Sequence, residues 1–381
     1  MAADFLPFLA VLPAVAYSLL TLWCGGRYFR RHDPLPDYQP PVSIIKPVKG
    51  MDAESFENFV SFCRQEYPEF QIIFAVASDE DPVLPVIRQL VAEFPDLDLR
   101  LVVDDQIHGP NYKVCNLINA YLLVKYNIII VCDSDIRVGP GYLRQVCAPF
   151  ADPKVGLVSS LYRSSHVTGW ATALEALGFT AEMVPNVMVA QTLEGLSFAL
   201  GASMAVRREA LEAIGGFDAL VAYLADDYQL GNKIHRAGWD LRLSDHMVES
   251  VMKHETFLEV VSRQLRWCRT MRVSRPAGYA GSVVTQPFPQ ALLVILIWGD
   301  TLYGTAAVLL LYLVRGAVAI TFSHRYLGDR LLPRWLWLLP LRDLVSTVTW
   351  FLSFFGNRVT WRGHRYRILP DGRMVDIERG W

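Results

Sequence analysis

The hydrophobic residues of this chain form long apolar stretches near both ends, with an alternating pattern between them. Phe5 to Gly26 contains no charged residue and is long enough to cross a bilayer. In the C-terminal third, Phe288 to Val314 is apolar apart from Asp300, and Leu331 to Phe355 holds three charged residues. This pattern predicts an N-terminal membrane anchor and two C-terminal spans, and Ala317 to Phe322 leaves a third C-terminal span open.

Basic residues follow the first apolar stretch instead of preceding it, as the run Arg27, Arg30, Arg31 and His32 shows. A secretory signal peptide has its basic residues first, so the order favours a retained anchor. Basic flanking segments remain in the cytoplasm. We therefore expect an integral membrane protein whose middle domain lies on the cytoplasmic side. We also expect the charged residues in the C-terminal apolar stretches to face protein or the interface, because lipid exposure is costly.

The middle of the chain alternates between short β-branched runs and amphipathic segments, which predicts a mostly parallel, Rossmann-like α/β sheet. The predicted strands are Val42 to Val48, Phe70 to Ala77, Leu99 to Val103, Ile128 to Cys132 and Val155 to Leu161. Trp170 to Met183 is predicted as a helix, and Pro185 to Leu200 as a loop. The predicted organisation is an anchor (1–26), a linker (27–41), an α/β domain ending in a basic interfacial helix (42–276), two or three spans (287–356) and a basic cytoplasmic tail (357–381).

Two carboxylates, Asp133 and Asp135, follow the strongest predicted strand, which begins at Ile128. Ligands of open α/β sheets bind beyond the carboxyl ends of the strands. Paired carboxylates suit Mg²⁺ or Mn²⁺ that also contacts a phosphate. The alternative for an isolated Asp-x-Asp is an ordinary acidic turn.

Polar residues recur just after each predicted strand, at Lys46, Asp81, Asp104 and Asp133. Four such positions on one sheet edge outline a site of nucleotide size. The sequence contains no G-x-G-x-x-G after the first strand and no P-loop, which argues against dinucleotide oxidoreductases and P-loop enzymes.

The acidic pair Asp226 and Asp227 lies in an apolar frame. Neighbouring carboxylates raise one another's pKa, which makes one of them a usable general base. The alternative is a pair that caps the start of a helix.

A basic segment follows, in which Arg263, Arg266 and Trp267 lie close together at helical spacing. Guanidinium groups bind phosphate in a bidentate manner, and an indole covers a flat ring. The alternative, which is compatible with the first, is a basic amphipathic helix on an anionic membrane surface.

The composition argues against an ordinary soluble protein. The charged fraction of 19% is low for a soluble domain, and the hydrophobic fraction is 52%. A net charge of −2 gives no basis for nucleic-acid binding. Six cysteines without a C-x-x-C pair or metal-ligand spacing indicate reduced, buried thiols.

Taken in order, these motifs resemble the GT-A, family 2-like glycosyltransferases, and more closely the ceramide glucosyltransferase family. The resemblance rests on Asp81-Pro82, Asp133-Ser134-Asp135, Asp226-Asp227, Arg263-x-x-Arg266-Trp267, the segment Lys46 to Gly50 and the tail Trp361 to Arg367. It covers nearly the whole chain and implies a GT-A catalytic domain held by N- and C-terminal transmembrane helices.

The resemblance also implies roles. The residues it implies for nucleotide-sugar binding are Lys46, Pro47, Asp81, Lys113, Asn116, Asp133 and Arg263. Asp81 would contact the uridine, while Asp133 and Asp135 would hold Mg²⁺ or Mn²⁺ against the diphosphate. Asp226 and Asp227 would be catalytic, with Asp227 as the base. Arg266 and Trp267 would steady the leaving diphosphate. The implied reaction is an inverting transfer of a hexose, glucose first, from a UDP-sugar to the hydroxyl of a membrane lipid.

The acceptor stays open. The family carries His-Pro in its acceptor region, whereas this chain has Val184-Pro185. Those two residues are the candidate acceptor contacts, with ceramide as the first acceptor. Bacterial hopanoid glycosyltransferases, which would use UDP-N-acetylglucosamine, resemble the chain about equally well. A processive polysaccharide synthase shares the aspartates and the Arg-Trp motif, and a non-enzymatic lipid-binding protein is the remaining alternative.

Overall fold

A computed structural model of the chain describes residues 5–31, 34, 36–329 and 332–380. Parts of the predicted anchor, of the linker (His32, Asp33 and Leu35), of the last predicted span (Leu331) and of the tail (Trp381) lie outside these residues. The chain divides into two compact units, each built from separate stretches of sequence. The membrane unit comprises Met1–His32, Val167–Gly195 and His254–Thr360, and the sheet unit comprises Asp33–His166, Leu196–Lys253 and Trp361–Trp381. The domain boundaries predicted above stay a prediction.

The strands are β1 (Val42–Val48), β2 (Phe70–Val76), β3 (Asp98–Val103), β4 (Ile128–Cys132), β5 (Ile136–Arg137), β6 (Val155–Ser165), β7 (Ser203–Arg207), β8 (Asp240–Val251), β9 (Arg358–Trp361), β10 (His364–Ile368) and β11 (Met374–Asp376). The α-helices are α1 (Leu6–Phe29), α2 (Ser55–Cys63), α3 (Leu84–Glu93), α4 (Tyr112–Tyr121), α5 (Tyr142–Cys147), α6 (Trp170–Gly178), α7 (Val184–Leu193), α8 (Arg208–Ala213), α9 (Asp226–Arg236), α10 (Phe257–Ser274), α11 (Pro276–Gly281), α12 (Pro287–Trp298), α13 (Leu302–Ile320) and α14 (Leu339–Leu352).

The sheet unit is built on an eight-stranded sheet of order β3-β2-β1-β4-β7-β6-β8-β5. β3, β2, β1 and β4 run parallel, while β7 is antiparallel to β4. Every residue of β1 and of β4 is buried. Strands covered by helices on both faces read as continuous apolar runs, which is why both were recognisable in sequence. The prediction of a mostly parallel, Rossmann-like sheet is confirmed.

The membrane unit contains α1 and α13, the latter continued by a π-helical turn to Tyr326. Among the described residues, Leu6–Phe29 and Leu302–Tyr326 are long and apolar enough to cross a membrane. A bent pair, Pro276–Thr285 and Pro287–Trp298, adds a third candidate if it forms one span broken by 45°. Small and branched side chains of α1, α12 and α13 form a shared apolar cluster.

The helices of the membrane unit differ from the apolar stretches of the sequence in two places. Phe288 to Val314 is not one helix, because the chain breaks at Asp300 and the hydroxyl of Thr301 caps α13 by accepting from the Gly304 N–H at 3.0 Å. Within the described residues, the segment predicted to cross the membrane up to Phe355 holds a 3₁₀ segment and the 14-residue helix α14, which is too short to cross a bilayer unaided.

Pro185 to Leu200 was predicted as a loop, yet α7 occupies its first half. Pro185 lies in the first turn of α7, where a helix needs no backbone N–H from that residue. The π-helical turn Phe179–Met183 joins α6 to α7. The proline therefore lies in a continuous helical segment, directly after its π-helical turn, and does not end it.

Only some charged residues of the C-terminal apolar stretches face protein, and Arg334 in the second stretch is exposed. Arg342 and Asp343 are buried, whereas Asp300 is exposed. Arg315 lies 2.9 Å from Asp343, and Arg342 lies 2.9 Å from Glu182. Charges inside an apolar unit must be paired in this way, since an unpaired one carries a large desolvation cost.

Candidate active site

Two carboxylates follow the central strand β4, as the sequence predicts. β4 is flanked by β1 and β7, so the chain can present polar side chains to a ligand only where the strand ends. The main-chain N–H of Asp133 donates to the carbonyl oxygen of Ala202 at 3.2 Å. The side chain of Asp133 is 36% exposed, and that of Asp135 accepts from the Ser250 hydroxyl at 3.0 Å. The carboxyl edge of the sheet therefore carries an acidic cluster that is open to solvent on one side.

Lys113 joins two acidic segments that are distant in sequence. Its Nζ lies 2.7 Å from Asp133 Oδ1 and 3.5 Å from Asp226 Oδ2. Burial by itself lowers the pKa of this lysine, but the carboxylates of Asp133 and Asp226 outweigh burial and hold the pKa above its ordinary value. Lys113 is therefore a fixed cation between the two acidic segments.

Asn111 fixes the start of α4 against the segment that precedes α9. Its Oδ1 accepts from the Val114 N–H at 3.1 Å and so caps α4. Its Nδ2 donates to the main-chain oxygen of Tyr223 at 2.7 Å and to Asp226 Oδ1 at 3.4 Å. Because Asn111 is fully buried, this side chain holds the two helix starts that carry Lys113 and Asp226 at a defined separation.

Asp227 has the properties of a general base. Asp226 and Asp227 are the first two residues of α9. Burial, and after it the charge of Asp226, raise the pKa of Asp227 to about 6, while Lys113 acts in the opposite direction. Asp227 Oδ1 accepts from the Tyr228 N–H at 2.7 Å, so the helix start engages one of the two carboxylate oxygens. A carboxylate with this pKa is ionised at neutral pH and accepts a proton more readily than an ordinary aspartate.

Two glycines allow the close approach that places Asp227. A Cβ on Gly201 would lie 2.7 Å from Asp227 Oδ2. A Cβ on Gly231, inside α9, would lie 2.3 Å from the backbone nitrogen of Ala199. Any larger residue at either position would push α9, or the Asp227 side chain, away from the segment that leads into β7.

The acidic cluster fits a hard divalent cation. Burial, and after it the charges of Asp133 and Asp52, raise the pKa of Asp135 to about 6. The Ser134 hydroxyl donates to Asp52 Oδ2 at 2.5 Å. Carboxylate oxygens are the ligands that Mg²⁺ and Mn²⁺ prefer. Within the part of the chain that the structure describes, no group of three or more His, Cys, Asp or Glu residues forms a complete metal cage. An ion there would need ligands from a substrate.

Lys46 and Pro47 lie inside β1 and not beyond its end. Lys46 is fully buried, and its Nζ donates to the main-chain oxygen of Asp133 at 3.0 Å and lies 3.7 Å from the ring centroid of Phe62. This hydrogen bond fixes the backbone of the segment that carries Asp133 and Asp135. That Lys46 and Pro47 contact a nucleotide sugar directly stays a prediction.

Asp81 and Asn116 also hold backbone in place. Both carboxylate oxygens of Asp81 accept from the Gly50 N–H, at 3.1 and 2.9 Å, and Oδ1 also accepts from the Val83 N–H at 3.0 Å. Gly50 has a φ of 71°, which favours glycine. The Asn116 amide donates to the Ala75 carbonyl at 3.3 Å. The predicted uridine contact therefore lies beside a tight turn at the carboxyl edge.

Arg263, Arg266 and Trp267 belong to α10 in the membrane unit. Arg263 is bound by the carboxylates of Glu175 and Glu255. The guanidinium carbon of Arg266 lies 6.0 Å from the ring centroid of Trp267. Binding of a nucleotide sugar by Arg263, and contact of Arg266 and Trp267 with its leaving diphosphate, stay predictions.

Val184 and Pro185, the predicted acceptor contacts, are both buried in the membrane unit. Val184 has no exposed surface. The neighbouring Asn186 Oδ1 accepts from the Tyr17 hydroxyl at 2.7 Å and is more accessible. Acceptor contact by Val184 and Pro185 stays a prediction.

Sequence reasoning missed Asn111, Gly201, Asp52 and Ser250 as parts of the site. A glycine inside the amphipathic helix α9 was the one signal of close packing available there. The remaining contacts join segments tens of residues apart and leave no local pattern.

Several curated relatives of the chain are named ceramide glucosyltransferase. It is 24% identical over 356 residues to ceramide glucosyltransferase 1 of Caenorhabditis elegans, covering 91% of this chain and 76% of that protein. It is 23% identical over 431 residues to the ceramide glucosyltransferase of Pyricularia oryzae, covering 89% and 86%. In Komagataella phaffii, a ceramide glucosyltransferase is 33% identical over 150 residues, covering 36% of this chain and 30% of the relative.

Among solved structures, a mannosyltransferase from Pyrobaculum calidifontis in complex with GDP-Man and Mn²⁺ has a TM-score of 0.54 at 17% identity, covering 92% of this chain and 99% of that one. This similarity confirms the GT-A-like fold. The family model described as glycosyl transferase family 21 matches residues 6–374. The resemblance to the ceramide glucosyltransferases is thereby confirmed, and the chain belongs to glycosyl transferase family 21.

Proposed function

We propose that the protein transfers a hexose, glucose first, from a UDP-sugar to the hydroxyl of a ceramide-type membrane lipid with inversion at the sugar. The observation that carries this proposal is the arrangement at the carboxyl edge of the sheet. There, Lys113 links Asp133 to Asp226, and a base with a raised pKa, Asp227, follows directly. The names of the curated relatives support the lipid and the sugar.

Asp227 is proposed to accept the proton of the acceptor hydroxyl. The acceptor oxygen forms its bond to the anomeric carbon while the bond from that carbon to the UDP oxygen breaks. The electron pair of the broken bond leaves with UDP, and the proton stays on the Asp227 carboxylate. One displacement inverts the anomeric centre and needs no second carboxylate as a nucleophile.

Asp133 and Asp135 are the residues that would hold Mg²⁺ or Mn²⁺, and such an ion supplies neutralisation of the diphosphate charge when bound. Lys113 contributes a fixed positive charge at the same place, and Lys46 holds the Asp133 backbone still. Preorganised charges of this kind stabilise a departing anion without reorganisation. Asp81, Pro47 and Asn116 complete the proposed donor region.

From the resemblance we further propose that Arg263, Arg266 and Trp267 act on the leaving diphosphate, and that Val184 and Pro185 lie near the acceptor. The catalytic domain is proposed to face the cytoplasm at a bacterial inner membrane. The support is the basic residues that flank the apolar helix α1, Arg27 among them.

The experiment uses the purified full chain in detergent with Mn²⁺ or Mg²⁺. UDP-glucose, UDP-galactose and UDP-N-acetylglucosamine are each offered with ceramide and with a hydroxylated hopanoid, and lipid products are identified by mass. We expect a monohexosyl ceramide that is lost in Asp227→Asn. The exposed Asp218→Asn serves as the matched control and should retain activity.

Other products would change the conclusion. A glycosylated hopanoid without any ceramide product would keep the reaction type and replace the acceptor. Sugar polymers would favour a processive synthase. No product from any pair, together with no binding of UDP, would refute the enzymatic proposal.

A further inference from the structure

The predicted basic tail contains an ordered hairpin. β10 pairs antiparallel with β11, with Tyr366 opposite Asp376 and Ile368 opposite Met374. We call residues 364–379 the C-terminal hairpin. It belongs to the sheet unit, whose other parts end at residue 253. The proposed reaction assigns it no role.

The C-terminal hairpin encloses one side chain at the start of α4. The Tyr112 hydroxyl donates to Asp376 Oδ2 at 3.2 Å. The ring centroids of Tyr112 and His364 are 4.8 Å apart, and the Arg379 guanidinium carbon lies 5.7 Å from the Tyr112 ring. Asp376 is itself fixed, because it is buried and its Oδ1 accepts from the backbone N–H groups of Glu378 and Arg379 at 2.9 and 3.3 Å. Tyr112 is the residue immediately before Lys113.

The same hairpin also binds the segment that leads to Asp226. The Met374 N–H donates to the Ala222 carbonyl at 2.8 Å, and Arg373 forms an antiparallel bridge with Tyr223. The C-terminal hairpin thus contacts the chain near both partners of the ion pair between Lys113 and Asp226. One contact is at Tyr112, next to Lys113, and the other is at Tyr223, three residues before Asp226.

We propose that the C-terminal hairpin is a positioning element for the donor site, which sets the separation of Lys113 from Asp226 through the contact of Tyr112 with Asp376. This inference rests on the proposed function. The residues involved are positioning residues, because each acts through Lys113 or the Asp226 segment and not on the substrate. A hydrogen bond to a fixed, buried carboxylate resists movement of the helix start more strongly than one to a mobile side chain.

The test compares two Tyr→Phe changes in full-length protein. Tyr112→Phe removes the bond to Asp376 and keeps the ring between His364 and Arg379. Tyr366→Phe is the matched control, because Tyr366 is buried in the hairpin and its hydroxyl has no hydrogen-bond partner among the described residues. We expect Tyr112→Phe to raise the KM for the UDP-sugar about tenfold with an unchanged acceptor KM. Tyr366→Phe should stay within about twofold of wild type.

The KM readout separates positioning from a general loss of folding. Partial unfolding lowers the active fraction, and hence the apparent kcat, without changing KM. Asp376→Asn tests the same contact from the hairpin side. The double variant Tyr112→Phe/Asp376→Asn should be no worse than the worse single variant, since Asp376→Asn replaces the charged acceptor of the same contact by a neutral amide.

Different results refute different statements. If wild type turns over and the donor KM of both single variants equals that of wild type, the positioning role is wrong. A tenfold rise in Tyr366→Phe as well would also refute it, because the hydroxyl contact would then not be the cause. If wild type transfers no sugar while still binding UDP, the proposed function fails instead.

Discussion

Gly201→Ala probes whether the carboxylate of Asp227 is the base. The added methyl carbon would lie 2.7 Å from Asp227 Oδ2, and 3.3 Å from both Cβ and Cγ of that side chain. Carbon atoms in unstrained packing keep about 3.4 Å or more from their neighbours, so the oxygen must retreat by about 0.7 Å. The obstacle is a side chain that can rotate, so we expect the protein to remain folded while its base is displaced.

The size of the effect follows from that displacement. A reacting group misplaced by about 1 Å costs about a hundredfold in rate, so Gly201→Ala should lower kcat about 10- to 100-fold. The assay is release of UDP together with the mass of the lipid product at saturating donor and acceptor. The melting temperature should change little.

Two further glycine variants control for the effect of adding a methyl group. Gly141→Ala adds the same methyl group in ordinary contact, 3.6 Å from Gln145 Nε2, and should keep wild-type activity. Gly231→Ala places a methyl group 2.3 Å from a backbone nitrogen and should destabilise the fold instead. A folded Gly201→Ala protein with wild-type kcat would refute the assignment of Asp227 as the base, since that carboxylate cannot keep its place beside the new methyl group.

Three other predictions concern charge. Lys113→Met should lower kcat/KM for the donor about 10- to 100-fold, because it removes a charged partner of Asp133; kinetics over UDP-sugar concentration measure this, with Lys113→Arg as the control. Because the pKa of Asp227 is raised to about 6, kcat should rise with pH through about 6 and level off above it; a flat profile from pH 5 to 8 would contradict this. Arg315→Met should lower the melting temperature strongly by leaving Asp343 buried without its partner, at a cost of about 3–5 kcal/mol, and Arg315→Met/Asp343→Leu should recover most of it. If the double variant does not regain its melting temperature, the loss of the ion pair between Arg315 and Asp343 is not the cause of the destabilisation.

The local parts of the site were predictable because their signals are local. A run of isoleucine and valine can only be a buried strand or a short apolar helix, and the acids after it mark its end. The position of Asp133 and Asp135 after β4 follows from that pattern alone. The acidic pair at the start of α9 was recognisable for the same reason. The prediction of a loop from Pro185 to Leu200 was wrong in its first half, since Pro185 lies in the first turn of α7.

The tertiary structure alone decided how these pieces meet. Lys113 reaches both Asp133 and Asp226, and no periodicity links residues so far apart in sequence. Lys46, predicted to face the donor, is buried beneath the Asp133 backbone.

The sequence by itself determined the N-terminal apolar helix, the α/β class and the order of the acidic motifs, because hydrophobic periodicity and strand ends are properties of neighbouring residues. Only the folded chain determined that Gly201 lies against Asp227 and that the hairpin of residues 364–379 encloses Tyr112. Such contacts depend on the packing of several segments at once, and close packing leaves no pattern in any one of them.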